Sequence, residues 1–234
     1  MPQRIIILLL FTYLSLDANE AALAAYKHKE YQKAFKLYEK AAKKGDASSQ
    51  NALSYLYFNG VGIAKDTSKG LQWLKHSANS QDASAQYDLG IFYLQGVNVK
   101  QDSKKAALWL AKSAKQGNRD AQYNLALMYY QGDGVDINVK KSAQLLESAA
   151  NKGHKKAKAN VGRIYMQLIN FDKASYWLEH NANDGDTEAY YLLAEIYVSK
   201  EDFKKAAYWA QKAISSNIPD AKVLWKKYNL EKYQ

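Results

Sequence analysis

The sequence contains no cysteine. Disulfides, thiol chemistry, Cys-built metal sites and lipid attachment through an N-terminal Cys are therefore excluded. It has only two prolines, which suits a helical chain and argues against a long disordered segment. Of its 33 basic residues only Arg4, Arg119 and Arg163 are arginine. Nucleic-acid readers depend on the planar arginine fork, which clamps phosphate and guanine. A net charge of +10 spread over lysines reads instead as a solvated basic surface, without a nucleic-acid partner. An acidic partner protein or an anionic envelope surface fits that charge better. Histidine is scarce too: no two of His28, His76, His154 and His180 have the spacing that puts two ligands on one helical face. No HExxH, GxSxG, P-loop or dinucleotide fingerprint occurs, and no Ser-His-Asp arrangement stands above chance. The expectation is a non-enzyme with no metal and no cofactor. A cell-wall hydrolase would need a catalytic pair that the sequence does not display.

Long apolar runs are missing as well, save one. Ile5–Leu16 follows Arg4 and is too short to span a bilayer comfortably. It reads as the apolar segment of a secretory signal, with Ala18 as the small residue before cleavage. The expected organisation is a signal peptide over 1–18 and one repeat domain over 19–234. An uncleaved segment would make the only membrane contact. Export places the chain in a bacterial periplasm or beyond.

What the chain has in abundance is apolar and aromatic surface, with 47% hydrophobic residues, 19 Tyr and five Trp. These recur in register. Gln50, Gln86 and Gln122 are 36 residues apart, as are Leu53, Leu89 and Leu125, then Tyr57, Tyr93 and Tyr129, then Gly60, Gly96 and Gly132. A period of that size marks a solenoid of stacked units, none able to bury its apolar face alone. Each unit splits into a helix A and a helix B. Leu53, Ser54 and Tyr57 share one face of helix A, and the residue after the Leu is always small: Ser54, Gly90, Ala126, Gly162 and Ala194. That lets helix B approach closely. Loops such as Gly60-Val61-Gly62 follow, with Asn98 replacing a loop glycine in the next unit. Asp66, Asp102, Asn138, Asn170 and Asp202 are placed to cap the B helices. Gly45, Gly117, Gly153 and Gly185 are placed to stop them, with Gln81 a local weakness in that role. After Tyr165 the period shortens to 32, and Pro219–Tyr233 forms a closing half-repeat.

The stretches 83–117 and 120–153 resemble Sel1-like repeats, with a weaker copy at 47–82. The shorter flanking units resemble tetratricopeptide repeats. The resemblance implies an all-α, right-handed α-solenoid of about six helix pairs with a C-terminal capping helix. It implies non-catalytic protein–protein interaction through a concave groove lined by the A helices. Helical geometry then names the groove-facing candidates: Tyr55, Tyr87, Ile91, Gln95, Tyr123, Leu127, Tyr130, Gln131, Arg163 and Tyr191. Asn51, Phe58 and Asn59 belong to the same face, though Phe58 and Tyr130 have an equal reading as packing under the next repeat. Exposed aromatic residues near the centre of a groove suit a protein partner. Two narrower readings stay open by fold-level analogy: a periplasmic immunity protein blocking a secreted effector such as a phospholipase, and a released virulence factor binding host proteins.

Overall fold

A computed structural model describes residues 19–234. The expected signal over 1–18 lies outside the described residues. Among those described there is no strand. The A helices are α1 (19–27), α3 (Ala47–Asn59), α5 (Ala83–Gln95), α7 (Arg119–Gln131), α9 (Lys155–Gln167) and α11 (Glu188–Ser199). The B helices are α2 (Tyr31–Lys43), α4 (Thr67–Asn79), α6 (Ser103–Lys115), α8 (Val139–Asn151), α10 (Phe171–Asn183) and α12 (Phe203–Ser215). A shorter α13 (Pro219–Lys227) and a 3-10 turn (Leu230–Tyr233) close the chain. The chain forms two compact units: one runs to Ala121 and includes Asp133–Val135, the other holds Gln122–Gly132 and Asp136–Gln234. Each is an all-α array of helix pairs, in which α3 packs on α4, α5 on α6, α9 on α10 and α11 on α12.

The caps fall where the sequence places them. The side chains of Asp66, Asp102, Asn138, Asn170 and Asp202 accept the amide hydrogens of Lys69, Lys105, Lys141, Lys173 and Lys205, at 2.9, 2.9, 2.8, 3.2 and 3.1 Å. Those lysines have a second use that their spacing alone does not reveal. Each ammonium lies over the ladder tyrosine of its own pair, Tyr57, Tyr93, Tyr129, Tyr165 and Tyr197, at 4.3–5.7 Å from the ring centre. The lysines expected to be simply solvated therefore tie helix B to helix A by cation–π attraction.

The small-residue ladder allows close approach, as expected. A methyl on Gly90 would meet Leu110 Cγ at 2.8 Å, and in the preceding pair Ser54 uses the same proximity to donate to the Gly70 carbonyl at 2.9 Å. The buried glutamines satisfy helix ends: Gln50 and Gln86 donate to the carbonyls of Ala42 and Ala78 at 3.2 and 3.0 Å. Ser77 and Ser113 donate to the carbonyls of Ala47 and Ala83, the first residues of α3 and α5, at 2.8 and 2.6 Å. The repeat ladder is thus scaffold from end to end.

The loops divide by unit. Gly62 has φ +71°, and a Cβ there would overlap the Tyr31 carbonyl, so space and conformation both demand glycine. Asn98 keeps the left-handed conformation at the corresponding place, with φ 56°. The shortened A–B connections use a left-handed residue that is not glycine: Lys29, Ile169 and Glu201, at φ 61°, 56° and 58°. Gln81 adopts φ 67° where the other B helices end on glycine or asparagine. At the C-terminus Leu224 and Leu230 are buried on the last pair, and Trp225 and Tyr228 pack beside them.

Candidate functional site

Each unit carries an open cavity beside its A helices, and the two share four repeat positions. In the first, Tyr55, Phe58 and Asn59 of α3 face Asp88 and Phe92 of α5, with Asn51, Lys65 and Leu74 also in the lining. Its volume is about 410 Å³. In the second unit, Arg163, Met166 and Gln167 of α9 face Glu188, Tyr191 and Leu192 of α11, with Ile218 at the end. That cavity is about 590 Å³. Arg163, Met166 and Gln167 stand where Tyr55, Phe58 and Asn59 stand in the other unit, and Leu192 stands where Asp88 does.

In the second cavity the floor is apolar (Met166, Leu192, Ile218) and the rim is polar. Arg163 is fixed at three points: its guanidinium donates to the Ala159 carbonyl at 2.8 Å and to Asp186 and Glu188 at 3.1 Å each. The Tyr191 hydroxyl donates to Glu195 at 2.7 Å. Burial and that carboxylate push the phenol up to about 12, so it stays a neutral donor. The rim is thus held in place before anything binds.

In the first cavity the distinctive group is Asp88. Burial, and then the charge of Asp82, push its carboxyl up to about 6. Asp82 itself is occupied: it caps α5 by accepting from the Ala85 amide at 2.7 Å, and Asn51 donates to it at 3.4 Å. Phe58 and Phe92 meet edge-on at 5.3 Å in the wall, and Phe58 also lies against Gly70 of α4. Tyr55 is 51% exposed at the mouth.

Of the groove candidates, Arg163 and Tyr191 share one cavity and Tyr55 lines the other, together with Asn51, Phe58 and Asn59. Tyr87, Ile91, Gln95, Tyr123, Leu127, Tyr130 and Gln131 line neither. Gln95, Tyr130 and Gln131 are exposed, while Tyr87, Ile91 and Leu127 are half-buried. Tyr123 stacks on His154 at 4.3 Å and is half-buried against the second unit's core. His154 also accepts the Ala157 amide at 3.1 Å, so its ring caps α9. Among the described residues no group of three or more His, Asp or Glu is placed to hold a metal ion. No described helix is long and apolar enough to cross a membrane.

Sequence reasoning missed Asp88, Phe92, Leu192 and Ile218. For Asp88 a signal was present. The residue before the ladder leucine is Ala52, Asn124 or Asn160 in neighbouring repeats, and only this one carries a charge.

The family model described as Sel1 repeat matches residues 29–46, 47–82, 83–118, 119–154 and 187–217. The last match extends it into a shortened unit that by sequence resembles a tetratricopeptide repeat. Among solved structures, a Sel1 repeat protein from Oxalobacter formigenes is similar at 27% identity and TM-score 0.68, covering 84% of each chain. A protective antigen present in uropathogenic Escherichia coli strains is similar at 23% identity and TM-score 0.63, over 88% of this chain and 56% of that one. An immunity protein from Pseudomonas aeruginosa is similar at 19% identity over 85% and 83% of the two chains, with a TM-score of 0.42 too low to carry an inference. No curated protein matches in a search by sequence.

Proposed function

The chain belongs to the Sel1 repeat family, whose repeats generally mediate protein–protein interaction, and we propose that it is an exported bacterial protein that docks a partner protein on its A-helix side. The observation that carries this reading is the cavity between α9 and α11. Its floor of Met166, Leu192 and Ile218 is apolar and open, and its rim is already hydrogen-bonded. Filling it with one leucine- or phenylalanine-sized side chain contributes about 1.5–3 kcal/mol from burial alone. A rigid rim limits the entropy lost on docking. Arg4 and the apolar run Ile5–Leu16 support export to the envelope, and N-terminal sequencing of the protein from a periplasmic fraction tests that part.

The docking part is tested by placing a photo-crosslinking amino acid, one position at a time, at Tyr55, Tyr191, Tyr176 and Tyr208 in the producing cell. Tyr176 and Tyr208 are 55% and 54% exposed on the B helices α10 and α12, so they control for mere exposure. The expected result is a discrete protein adduct from Tyr55 and Tyr191 and none from the B-helix pair. Adducts from Tyr176 or Tyr208 alone would put the docking face on the other side.

A further inference from the structure

We infer that the first unit's cavity, between α3 and α5, receives a basic side chain, a lysine or arginine, from the docked protein segment. Among the described residues no hydrogen bond or ion pair reaches the Asp88 carboxylate. Asp82 adds negative charge beside it, and Lys65, although it lines the same cavity, makes no ion pair with either. A half-buried carboxylate is costly unless a cation meets it. The fold does not require this charge, because Ala52, Asn124 and Asn160 serve the same repeat position. In the second unit the equivalent Leu192 makes the cavity floor apolar. At this shared position one cavity carries a carboxylate and the other an apolar side chain.

The rest of the lining suits a long cationic side chain rather than a bare metal ion. Three aromatic residues, Tyr55, Phe58 and Phe92, line the same cavity as the carboxylate. Rings of this kind hold methylene stems by contact and attract ammonium or guanidinium over their faces. A divalent ion would need a set of oxygen ligands, and no cluster of three or more acidic or imidazole groups is present among the described residues. Desolvation disfavours the ionised form of Asp88, so an arriving cation relieves that cost and gains a charge-assisted hydrogen bond. The titratable groups in the lining are Asp88, Tyr55 and Lys65, with Asp82 beside Asp88 and Tyr26 hydrogen-bonded to Tyr55.

The inference rests on the A-helix docking face and is tested apart from it. The isotope-labelled full chain is titrated at pH 7 with the tripeptide acetyl-Ala-Lys-Ala-amide and, separately, with its Nε-acetylated form. The lysine peptide is expected to shift the amide signals of Tyr55, Asp88 and Phe92 and to bind at least about tenfold more tightly than the neutral one. Asp88→Asn is expected to erase that preference, and the Asp88 carboxyl is expected to titrate at lower pH with the lysine peptide present. Equal binding of the two peptides, or a preference that survives Asp88→Asn, overturns the assignment. Crosslinks on the A helices without a lysine preference would remove only this inference. Crosslinks confined to the B helices would remove the docking face itself.

Discussion

Asp88→Asn should make this protein more stable at neutral pH and leave it unchanged in acid. The carboxyl titrates at about 6 in the folded chain against an ordinary 3.8. A pKa raised on folding contributes stability that is fully present below the unfolded value and lost as pH rises through the folded one. At about 1.4 kcal/mol per pKa unit, the ionised carboxylate costs the fold roughly 2–3 kcal/mol at pH 7. Asparagine carries no such cost, and Asn124 and Asn160 at equivalent places show that the repeat accommodates it. Urea unfolding followed by far-UV circular dichroism at pH 4 and pH 7 measures the difference. The variant should gain about 2–3 kcal/mol at pH 7, and the gain should fade across the window from pH 6 to pH 4. No gain at pH 7 would refute the reasoning, and so would an equal gain at both pH values. A confirmed gain would mean that the chain retains a destabilising charge, as binding sites commonly do.

Three further outcomes follow from the fold. Gly45→Ala and Gly62→Ala both place a side chain at positive φ, but nothing lies within 4 Å of a Cβ at Gly45, whereas Gly62 faces the Tyr31 carbonyl. The first should cost about 1–2 kcal/mol and the second about 2 kcal/mol more, measured by urea unfolding, and equal costs would deny the loop contact. Ile169→Gly should stabilise by about 1 kcal/mol, since a β-branched residue 74% exposed at φ 56° gives little packing and pays strain, and a lower urea midpoint would contradict it. Glu147 is raised by burial, but hydrogen bonds from Lys173 and Tyr165 outweigh that and hold its carboxyl below the ordinary 4.5. Its contribution is therefore present above that value and lost as pH falls through the lower folded one, so Glu147→Gln should flatten the acid limb of a stability–pH curve.

The scaffold was legible because each structural job recurs at the same spacing. The capping residues Asp66 to Asp202, the small residues after the ladder leucine and the stop glycines each had several copies to average over, and each sits where its spacing puts it. The lysine–tyrosine contacts were in register too, yet they join different helices across a loop, beyond what a helical wheel displays. The site was less legible for the opposite reason. Its specificity lies in departures from the repeat, and helical phase alone cannot separate an open cavity from a half-buried seam. Tyr123 and Tyr191 occupy the same helix-A position, but a histidine ring covers Tyr123 and Tyr191 lines a cavity. The charge at Asp88 is visible in the sequence; its missing counterion is visible only once the neighbouring helices are in place.

The claim that the A-helix cavities dock a partner is tested most directly by the affinity of the crosslinked partner, once purified, for two variants measured by calorimetry. Leu192→Trp fills the cavity of the second unit, and Tyr208→Ala trims an exposed ring on a B helix. Binding at least about tenfold weaker is expected for Leu192→Trp, with an unchanged Kd for Tyr208→Ala. Undiminished binding by Leu192→Trp, with loss in Tyr208→Ala, would contradict it.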